Sequence, residues 1–332
     1  MIEILKYQNN LQAEWDQFID TSDNGTIFQK QKFLSYHVSR KFENHSLIFK
    51  KKGKIIAVFP AAIKQEGKKK ILFSHPGASF GGIVYKNISF EDCSIIIKLI
   101  EHEAHHNGCN QIFIIQTPTI YNTLSNNEII DYCLRDRNFK NKERYLSSII
   151  PINEDVNNQL KKISRNKNRT QSYYNNLIRK HELKFRWVDS FKEFYPILLK
   201  NKQKHNAKPT HSIEELERLK LLFPKEILQL MIYNNKQAIG GLTLFKTNNI
   251  SVIIFYSMFD YNFTNIQPIT LLMQYIIPWS KKNKIQFIDY GISHQPNNKN
   301  PLAPNKSLIK FKEEFGSFVS IRNTYNKILN DK

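Results

Sequence analysis

The sequence contains no apolar run long enough to cross a bilayer, which argues against an integral membrane protein. A helical span needs roughly 18 consecutive apolar residues, and none of the 332 residues belongs to such a run. Residues 1–8 contain neither a basic leader nor a small-residue cleavage site, so we expect no secretory signal. The sequence favours a cytoplasmic protein, and it leaves open a peripheral contact with the inner membrane face.

Cysteine and acidic residues are also scarce. The three cysteines, Cys93, Cys109 and Cys133, are odd in number and lack metal-ligand spacing, so reduced thiols are expected. Lys and Arg number 49 against 29 Asp and Glu, a formal net charge of +20. Such a charge favours anionic partners, either nucleic acid, phosphorylated cofactors or a membrane surface. An AT-rich genome would give the same Lys-, Asn- and Ile-rich composition without selection for binding.

Several catalytic motifs are absent or stand in the wrong context. No G-x-G-x-x-G follows a strand and no G-x-x-x-x-G-K-[ST] occurs, so dinucleotide and ATP sites of those kinds are unsupported. Residues 77–81 match G-x-S-x-G, but the next residues are typical of another strand, whereas a nucleophile elbow leads into a helix. We therefore predict a glycine-rich connection there and no serine hydrolase.

Residues 102–106 match the H-E-x-x-H pattern of zinc proteases. A helical wheel places His102 and His106 opposite the apolar face of the predicted helix, which consists of Cys93, Ile96, Ile97, Ile100 and Ala104. Histidines in a last turn are also explained by the helix dipole. We predict no metal site.

The two halves of the chain repeat one order of predicted elements. The first half has strands at 54–59, 70–73 and 83–85, a helix between Ser89 and Asn107, and a strand at 111–115. The second half has strands at 238–245 and 250–256, a helix at 268–282, whose last turn Pro278 weakens, and a strand at 285–289. This order predicts an α/β (α+β) fold with two domains, 1–150 and 151–332, each a mixed sheet flanked by helices.

A basic stretch opens the second predicted domain. One helical stripe is predicted from its apolar residues, with the basic side chains outside: Leu160, Ile163, Tyr174, Leu177 and Ile178. Two interpretations stay open, a solvated helix face or a phosphate-binding surface. For the second, Arg165 and Arg169 are the candidates, because guanidinium groups bind phosphate through paired hydrogen bonds.

Two matched segments near the C-terminus carry a family resemblance. Residues 287–293 read as a strand with "D-x-G", and residues 308–316 contain "F-K-x-x-F-G". Together they resemble the FemAB-like (peptidoglycan bridge aminoacyltransferase-like) branch of the GNAT acetyltransferase superfamily. Residues 164–183 are similar to its basic helix, 26–34 to its opening segment and 74–84 to its first-domain loop. The resemblance implies a tandem duplication of two GNAT-like domains.

The resemblance also implies an enzyme that transfers an acyl or aminoacyl group to an amine or hydroxyl of a cell-envelope precursor, in peptidoglycan or surface polysaccharide. No tightly bound cofactor is expected, and the donor is either aminoacyl-tRNA or acyl-CoA. Residues 261–268 lack the glycine of a pyrophosphate-binding loop, which disfavours coenzyme A. The alternative is a non-catalytic basic protein that binds RNA or a membrane-surface glycolipid.

The matched segments nominate the site residues. Lys312 and Lys310 would hold a donor phosphate or the developing oxyanion, or they are surface lysines beside a core phenylalanine pair. Asp289 would orient the acceptor or take its proton, or it caps a turn. Tyr256 would donate to the acyl oxygen, or it is a core tyrosine. Ser293, in the same segment as Asp289, is expected to contact substrate or phosphate.

Overall fold

The computed structural model describes residues 1–37, 40–123, 127–204, 206–294, 300 and 302–329. The chain forms two compact units. The first unit comprises residues 1–146, 294–303 and 320–332, and the second comprises 147–293 and 304–319. No helix within the described ranges is long and apolar enough to span a bilayer.

The described residues form fifteen strands and ten α-helices. The strands are β1 (Ile2–Lys6), β2 (Glu43–Asn44), β3 (Leu47–Lys51), β4 (Lys54–Phe59), β5 (Ala62–Glu66), β6 (Lys69–Ser74), β7 (Val84–Tyr85), β8 (Gln111–Ile115), β9 (Lys140–Pro151), β10 (Leu183–Val188), β11 (Ile227–Asn234), β12 (Gln237–Lys246), β13 (Ser251–Phe259), β14 (Phe287–Ile292) and β15 (Phe318–Ile328). The helices are α1 (Gln12–Thr21), α2 (Gln31–Leu34), α3 (Phe90–His106), α4 (Ile129–Asp136), α5 (Val156–Asn166), α6 (Gln171–Lys180), α7 (Phe194–Lys204), α8 (Ile213–Leu222), α9 (Pro268–Lys282) and α10 (Lys306–Glu313).

The first unit contains two sheets around one main apolar core. One sheet has the order β1-β3-β4-β7, and the other has the order β9-β15-β8-β6-β5-β2, with β6 and β8 parallel. Helix α3 connects β6 to β8, and the Ser89 hydroxyl accepts from the Asp92 N–H at its start. Its buried side chains are those of the predicted apolar face, Cys93, Ile96, Ile97, Ile100 and Ala104. The predicted helix is confirmed.

The second unit is built on one sheet of the order β10-β11-β12-β13-β14-β9. All of its pairs are antiparallel except β13 and β14, which are parallel and are joined by α9. Helix α9 buries Leu272, Met273 and Ile276 in the core of this unit, beside Ile288 of β14. Its bounds are those predicted, and Pro278 lies inside it.

Both units therefore contain a strand, a crossover helix and a parallel strand, β6-α3-β8 in the first and β13-α9-β14 in the second. The predicted α/β (α+β) fold class, two mixed sheets flanked by helices in tandem, is confirmed. The predicted domains of 1–150 and 151–332 differ from the two units in three places, one of which is that residues 294–303 belong to the first unit. The division lies within β9, at 146/147, and most of β15 belongs to the first unit.

The basic stretch forms two helices, α5 and α6, where one stripe was predicted. The chain turns between them at Asn168, whose φ of 54° is left-handed, and the Thr170 hydroxyl caps α6 by accepting from the Tyr173 N–H. Asparagine tolerates this backbone conformation better than most residues. The apolar residues of the stripe still pack against the core of the second unit.

Candidate functional site

The nominated residues of the second unit cluster where the parallel strands β13 and β14 stop pairing. Registered pairing ends at Ile253 and Asp289, although both strands continue beyond these residues. Beyond these residues a side-chain hydrogen bond joins the two strands, between the hydroxyl groups of Ser257 and Tyr290, whose oxygens lie 3.0 Å apart. Open α/β sheets bind ligands at the carboxyl ends of their strands, so this end of the strand pair is a candidate site.

Asp289 is buried and binds the irregular part of β14, where the pairing with β9 shifts register. One of its carboxylate oxygens accepts from the Ser147 hydroxyl at 2.6 Å and from the Gly291 N–H at 2.7 Å. Gly291 has a φ of 76°, which favours glycine, so the carboxylate stabilises a turn of restricted sequence. These contacts agree with the turn-capping interpretation of Asp289.

Lys312 is the most unusual charged group of the cluster, because only 3% of it is exposed. Its ammonium donates to the carbonyl oxygens of Gly291 at 2.8 Å and Ile292 at 3.2 Å. Burial lowers the pKa of Lys312 to about 8, and the charge of Asp289 opposes this shift. An ammonium has three donors, and the third has no acceptor among the described residues. Lys312 is therefore a core lysine with one N–H available, and the prediction of a surface lysine does not apply to it.

Ser293 directly follows the two carbonyls that Lys312 contacts. It is 1% exposed, and its hydroxyl has no hydrogen-bond partner among the described residues. Its backbone carbonyl accepts from the Asn305 N–H at 3.0 Å, which fixes the start of the segment leading to α10. Buried hydroxyls without a partner are rare, so Ser293 is an unusual polar group in the segment whose backbone Lys312 contacts.

The two phenylalanines of the F-K-x-x-F-G segment pack beside this cluster. Phe311 and Phe315 pack edge to face at 5.3 Å, and both contact the ring of Tyr290. The Lys167 ammonium lies 4.7 and 4.5 Å from the two phenylalanine rings and pairs with the Glu314 carboxylate. Sequence reasoning missed Lys167, although it stands in the basic stretch between the two nominated arginines.

Three nominated cations lie on the surface of the second unit. Lys310, Arg165 and Arg169 are exposed. Arg169 stacks on the ring of Tyr173 at 5.0 Å and donates to the Asn168 carbonyl. No bond within the described part of the chain joins any of the three to Lys312. They provide a basic surface, and the structure does not gather them into the buried cluster.

The hydroxyl of Tyr256 contacts Thr210 and His211, and no hydrogen bond among the described residues joins it to Lys312 or Tyr290. Its hydroxyl oxygen accepts from the backbone N–H groups of Thr210 at 3.1 Å and His211 at 3.2 Å. It also lies 3.0 Å from Nδ1 of His211. Burial raises the pKa of Tyr256 to about 12. The hydroxyl is saturated by these three contacts, and the adjacent Ser257 is the β13 residue that reaches Tyr290.

The loop before α9 is the segment that lacks the glycine of a pyrophosphate-binding loop. It forms a 3-10 turn over Tyr261–Ile266, capped by the Asp260 carboxylate, which accepts from the Asn262 N–H at 3.1 Å. Gln267 then takes a left-handed φ of 56°, and Pro268, without an N–H, begins the helix. Pro268 therefore offers no backbone N–H at the first position of α9.

The first unit contains a separate polar cavity of about 380 Å³. It lies between the segment at the start of α2 and the loop after β6. Gln29 holds these two parts together, because its amide donates to the Gly81 carbonyl at 3.0 Å and to the Thr117 hydroxyl at 2.6 Å. The lining includes Gln31, His37, Arg40, Lys41, Phe42 and His75.

Two buried side chains of this cavity carry N–H donors. His75 is 2% exposed, and its Nδ1 accepts from the Gly77 N–H at 3.1 Å, so its proton is on Nε2. Burial, with a smaller effect of His37, lowers the pKa of His75 to about 3. Gln31 accepts from Asn44, but its Nε2 has no partner among the described residues. With Lys41 exposed at the rim, the cavity suits an anionic, acceptor-rich ligand.

The two motifs that sequence analysis rejected have structural roles. His102 and His106 are exposed, as the helical wheel predicted, and Glu103 accepts from His45 and from the Asn107 amide. The described residues contain no group of three metal-ligating side chains. The 77–81 loop leads into strand β7, and a Cβ on Gly81 would lie 2.7 Å from the His75 backbone, so close packing requires that glycine.

Comparisons with known proteins give structural matches only. No protein-family model matches the chain, and no curated protein matches it. The crystal structure of FemX superposes with a TM-score of 0.72 at 13% identity, over 99% of this chain and 98% of FemX. A tandem GNAT protein from the clavulanic acid biosynthesis pathway gives 0.58 at 5% identity, over 100% of both chains. A domain described as that of a lysylphosphatidylglycerol synthetase from Agrobacterium fabrum gives 0.57 at 11%, over 97% of this chain and 92% of the other.

At these identities the matches establish the fold. The duplicated β-α-β units agree with the tandem GNAT protein, and the near-complete overlap with FemX agrees with the resemblance carried by residues 287–293 and 308–316. The chain has a tandem GNAT-like fold.

Proposed function

We propose that this chain is an acyl- or aminoacyl-transferase that modifies an amine or hydroxyl of a cell-envelope precursor. The observation that carries the proposal is the buried Lys312 ammonium, which donates to the Gly291 and Ile292 carbonyl oxygens and has no third acceptor among the described residues. The FemX-like fold supports the class of reaction, and the lysylphosphatidylglycerol synthetase domain is a second neighbour whose name refers to an envelope lipid.

For this reaction the protein needs to position the two substrates and to stabilise the negative charge that develops on the carbonyl oxygen. The acceptor nitrogen or oxygen attacks the carbonyl of an activated ester or thioester and forms a tetrahedral intermediate with a negative oxygen. The Lys312 ammonium would donate its free N–H to that oxygen, and fixed donors of this kind stabilise the transition state. Collapse breaks the donor bond, and the proton lost by the acceptor ends on the departing oxygen or sulfur. No covalent enzyme intermediate is needed.

For the donor, we favour an aminoacyl-tRNA over acyl-CoA. The loop before α9 has no glycine and Pro268 supplies no N–H at the start of the helix, which supports a donor other than acyl-CoA. The exposed cations Arg165, Arg169 and Lys310 suit the phosphates of an RNA. For the acceptor, the polar cavity of the first unit suits an anionic precursor.

A mass-spectrometric screen tests this proposal. The purified protein is offered charged tRNA and acyl-CoA pools separately, each with peptidoglycan and lipid-linked glycan precursors. We expect one precursor to gain the mass of an aminoacyl group from the tRNA pool only. Transfer from the acyl-CoA pool would contradict the donor assignment. No transfer from either pool would favour the alternative, a non-catalytic protein that binds RNA or a glycolipid.

The acceptor assignment predicts a selective effect on substrate binding. Gln31→Leu removes the unpaired donor at nearly constant volume, and Lys41→Ala removes a rim cation. Because a hydrogen bond to a charged group contributes about 1.5–3 kcal/mol, each change should raise KM for the precursor roughly tenfold or more with little change in kcat. The control is Lys32→Ala, an exposed lysine of α2 outside the cavity lining. An equal effect of the control would contradict the assignment.

A further inference from the structure

One face of the larger sheet in the first unit is open to solvent. The opposite face packs against α3 through Leu72, Ile112, Ile114 and Tyr325. On the open face, strands β5, β6, β8, β9 and β15 line a shallow cavity of about 420 Å³. The lining side chains of Lys69, Lys142 and Ile328 are exposed, so solvent reaches this face directly.

Two aromatic rings lie at the centre of the open face. Phe73 on β6 and Phe113 on β8 are register partners, with ring centroids 4.6 Å apart and planes inclined by 40°. Both rings are only partly buried. Beside them the Gln111 amide donates to Asn326 at 2.5 Å. The amide oxygen of Gln111 and the amide nitrogen of Asn326 have no partner among the described residues.

The side chains around the two rings are mostly basic. Lys64, Lys69 and Lys142 flank them, and Glu66, which pairs with Lys64, is the one acidic residue that lines the cavity. The Lys64 ammonium lies 5.8 Å from the Phe73 ring. Lys140 and Arg144 are exposed on the same strand as Lys142, two residues to either side, so they share its face.

We propose that this face binds single-stranded nucleic acid, with Phe73 and Phe113 stacking on bases and Lys69 and Lys142 contacting phosphates. Aromatic platforms within basic grooves bind single strands in this way, because every base offers a ring face. A duplex keeps its bases stacked on one another, so it cannot use the rings. The free amide groups of Gln111 and Asn326 can pair with base edges. The proposal goes beyond acyl transfer and holds whichever donor the chain uses.

The proposal is tested by fluorescence anisotropy with labelled, unstructured RNA and DNA oligonucleotides of roughly 12 nucleotides, a length typical of such sites. We expect both to bind at least tenfold more tightly than the same RNA in a duplex. Lys69→Glu with Lys142→Glu should weaken binding and reduce the salt slope by about 1.4, since each lost phosphate contact contributes about 0.7. Phe73→Leu and Phe113→Leu keep the apolar volume and should each weaken binding about tenfold.

The matched control is Lys54→Glu with Lys98→Glu, which makes the same charge change at exposed positions on β4 and α3. Equal weakening by the control would mean that net charge alone binds the oligonucleotide and would overturn the proposal. It would also be overturned if only Arg165→Ala with Arg169→Ala weakened binding, or if the Phe variants had no effect.

A dimer in sedimentation velocity that the Lys69 and Lys142 changes dissociate would make this face a self-association surface instead. Transfer activity measured with a small soluble donor should not change in the Lys69 and Lys142 variant, which separates this proposal from the proposed function.

Discussion

Replacing Lys312 with alanine should slow transfer by at least about 100-fold, the effect of removing one oxyanion donor. The ammonium is fixed by two carbonyl oxygens and retains one N–H for the substrate, so no other described side chain can take its place without a rearrangement. The readout is single-turnover product formation by mass spectrometry with the donor that the screen identifies. Circular dichroism and urea unfolding establish that the variant is folded.

The matched control is Lys310→Ala, an exposed lysine two residues earlier on the same helix, for which we expect a less than threefold change in the transfer step. A second variant, Lys312→Met, keeps much of the side-chain volume and separates loss of charge from loss of packing. If Lys312→Ala and Lys312→Met both fold and retain the wild-type rate, Lys312 is a structural residue and the mechanism is wrong.

The same lysine predicts the alkaline limit of activity. Burial lowers the pKa of Lys312 to about 8, so the ammonium is lost and transfer should fall as the pH rises through that value. Stability should change in the other direction. Between about pH 8 and the ordinary lysine pKa near 10.4, the unfolded chain binds the proton more tightly, so this group makes the folded state relatively more stable as the pH rises. Falling rate without falling unfolding free energy, measured across this range, distinguishes titration of Lys312 from denaturation.

The sequence predicted best those elements whose signals are local. Helix α3 begins and ends at its predicted cap residues, and α9 has its predicted bounds, because Ser89, Asn107 and Pro268 act on the turn beside them. The two segments with family-like motifs meet in the structure, since Asp289 and Lys312 both contact Gly291.

Partners distant in sequence could not be predicted. The pattern of β15 is typical of a strand, but nothing in it indicates pairing with β8, some 200 residues earlier. The side chains of Tyr256 and Ser257 point to opposite faces of the sheet, and the sequence alone does not show which of the two faces Tyr290. Nothing in the sequence indicated Gln31, because its importance lies in an amide nitrogen that is buried without a partner among the described residues.

Replacing Asp289 with asparagine should shift the alkaline limit of activity to lower pH and lower the free energy of unfolding by about 3 kcal/mol. The Asp289 charge opposes the effect of burial on Lys312, so its removal lowers the pKa of that lysine further. Asparagine can still accept from Ser147 and Gly291, but without the charge that strengthens both bonds.

A double-mutant cycle makes this prediction specific to the pair. Adding Lys312→Met to Asp289→Asn removes both charges, and the double variant should lose less stability than the sum of the single variants, by about 1 kcal/mol or more. Asp260→Asn, which changes a carboxylate that caps the turn before α9, is the control and should leave the pH profile unchanged. If Asp289→Asn altered neither the pH profile nor the urea midpoint, the Asp289 carboxylate would not be what keeps the buried Lys312 charged, and the cation would have to be held by its two carbonyl contacts alone.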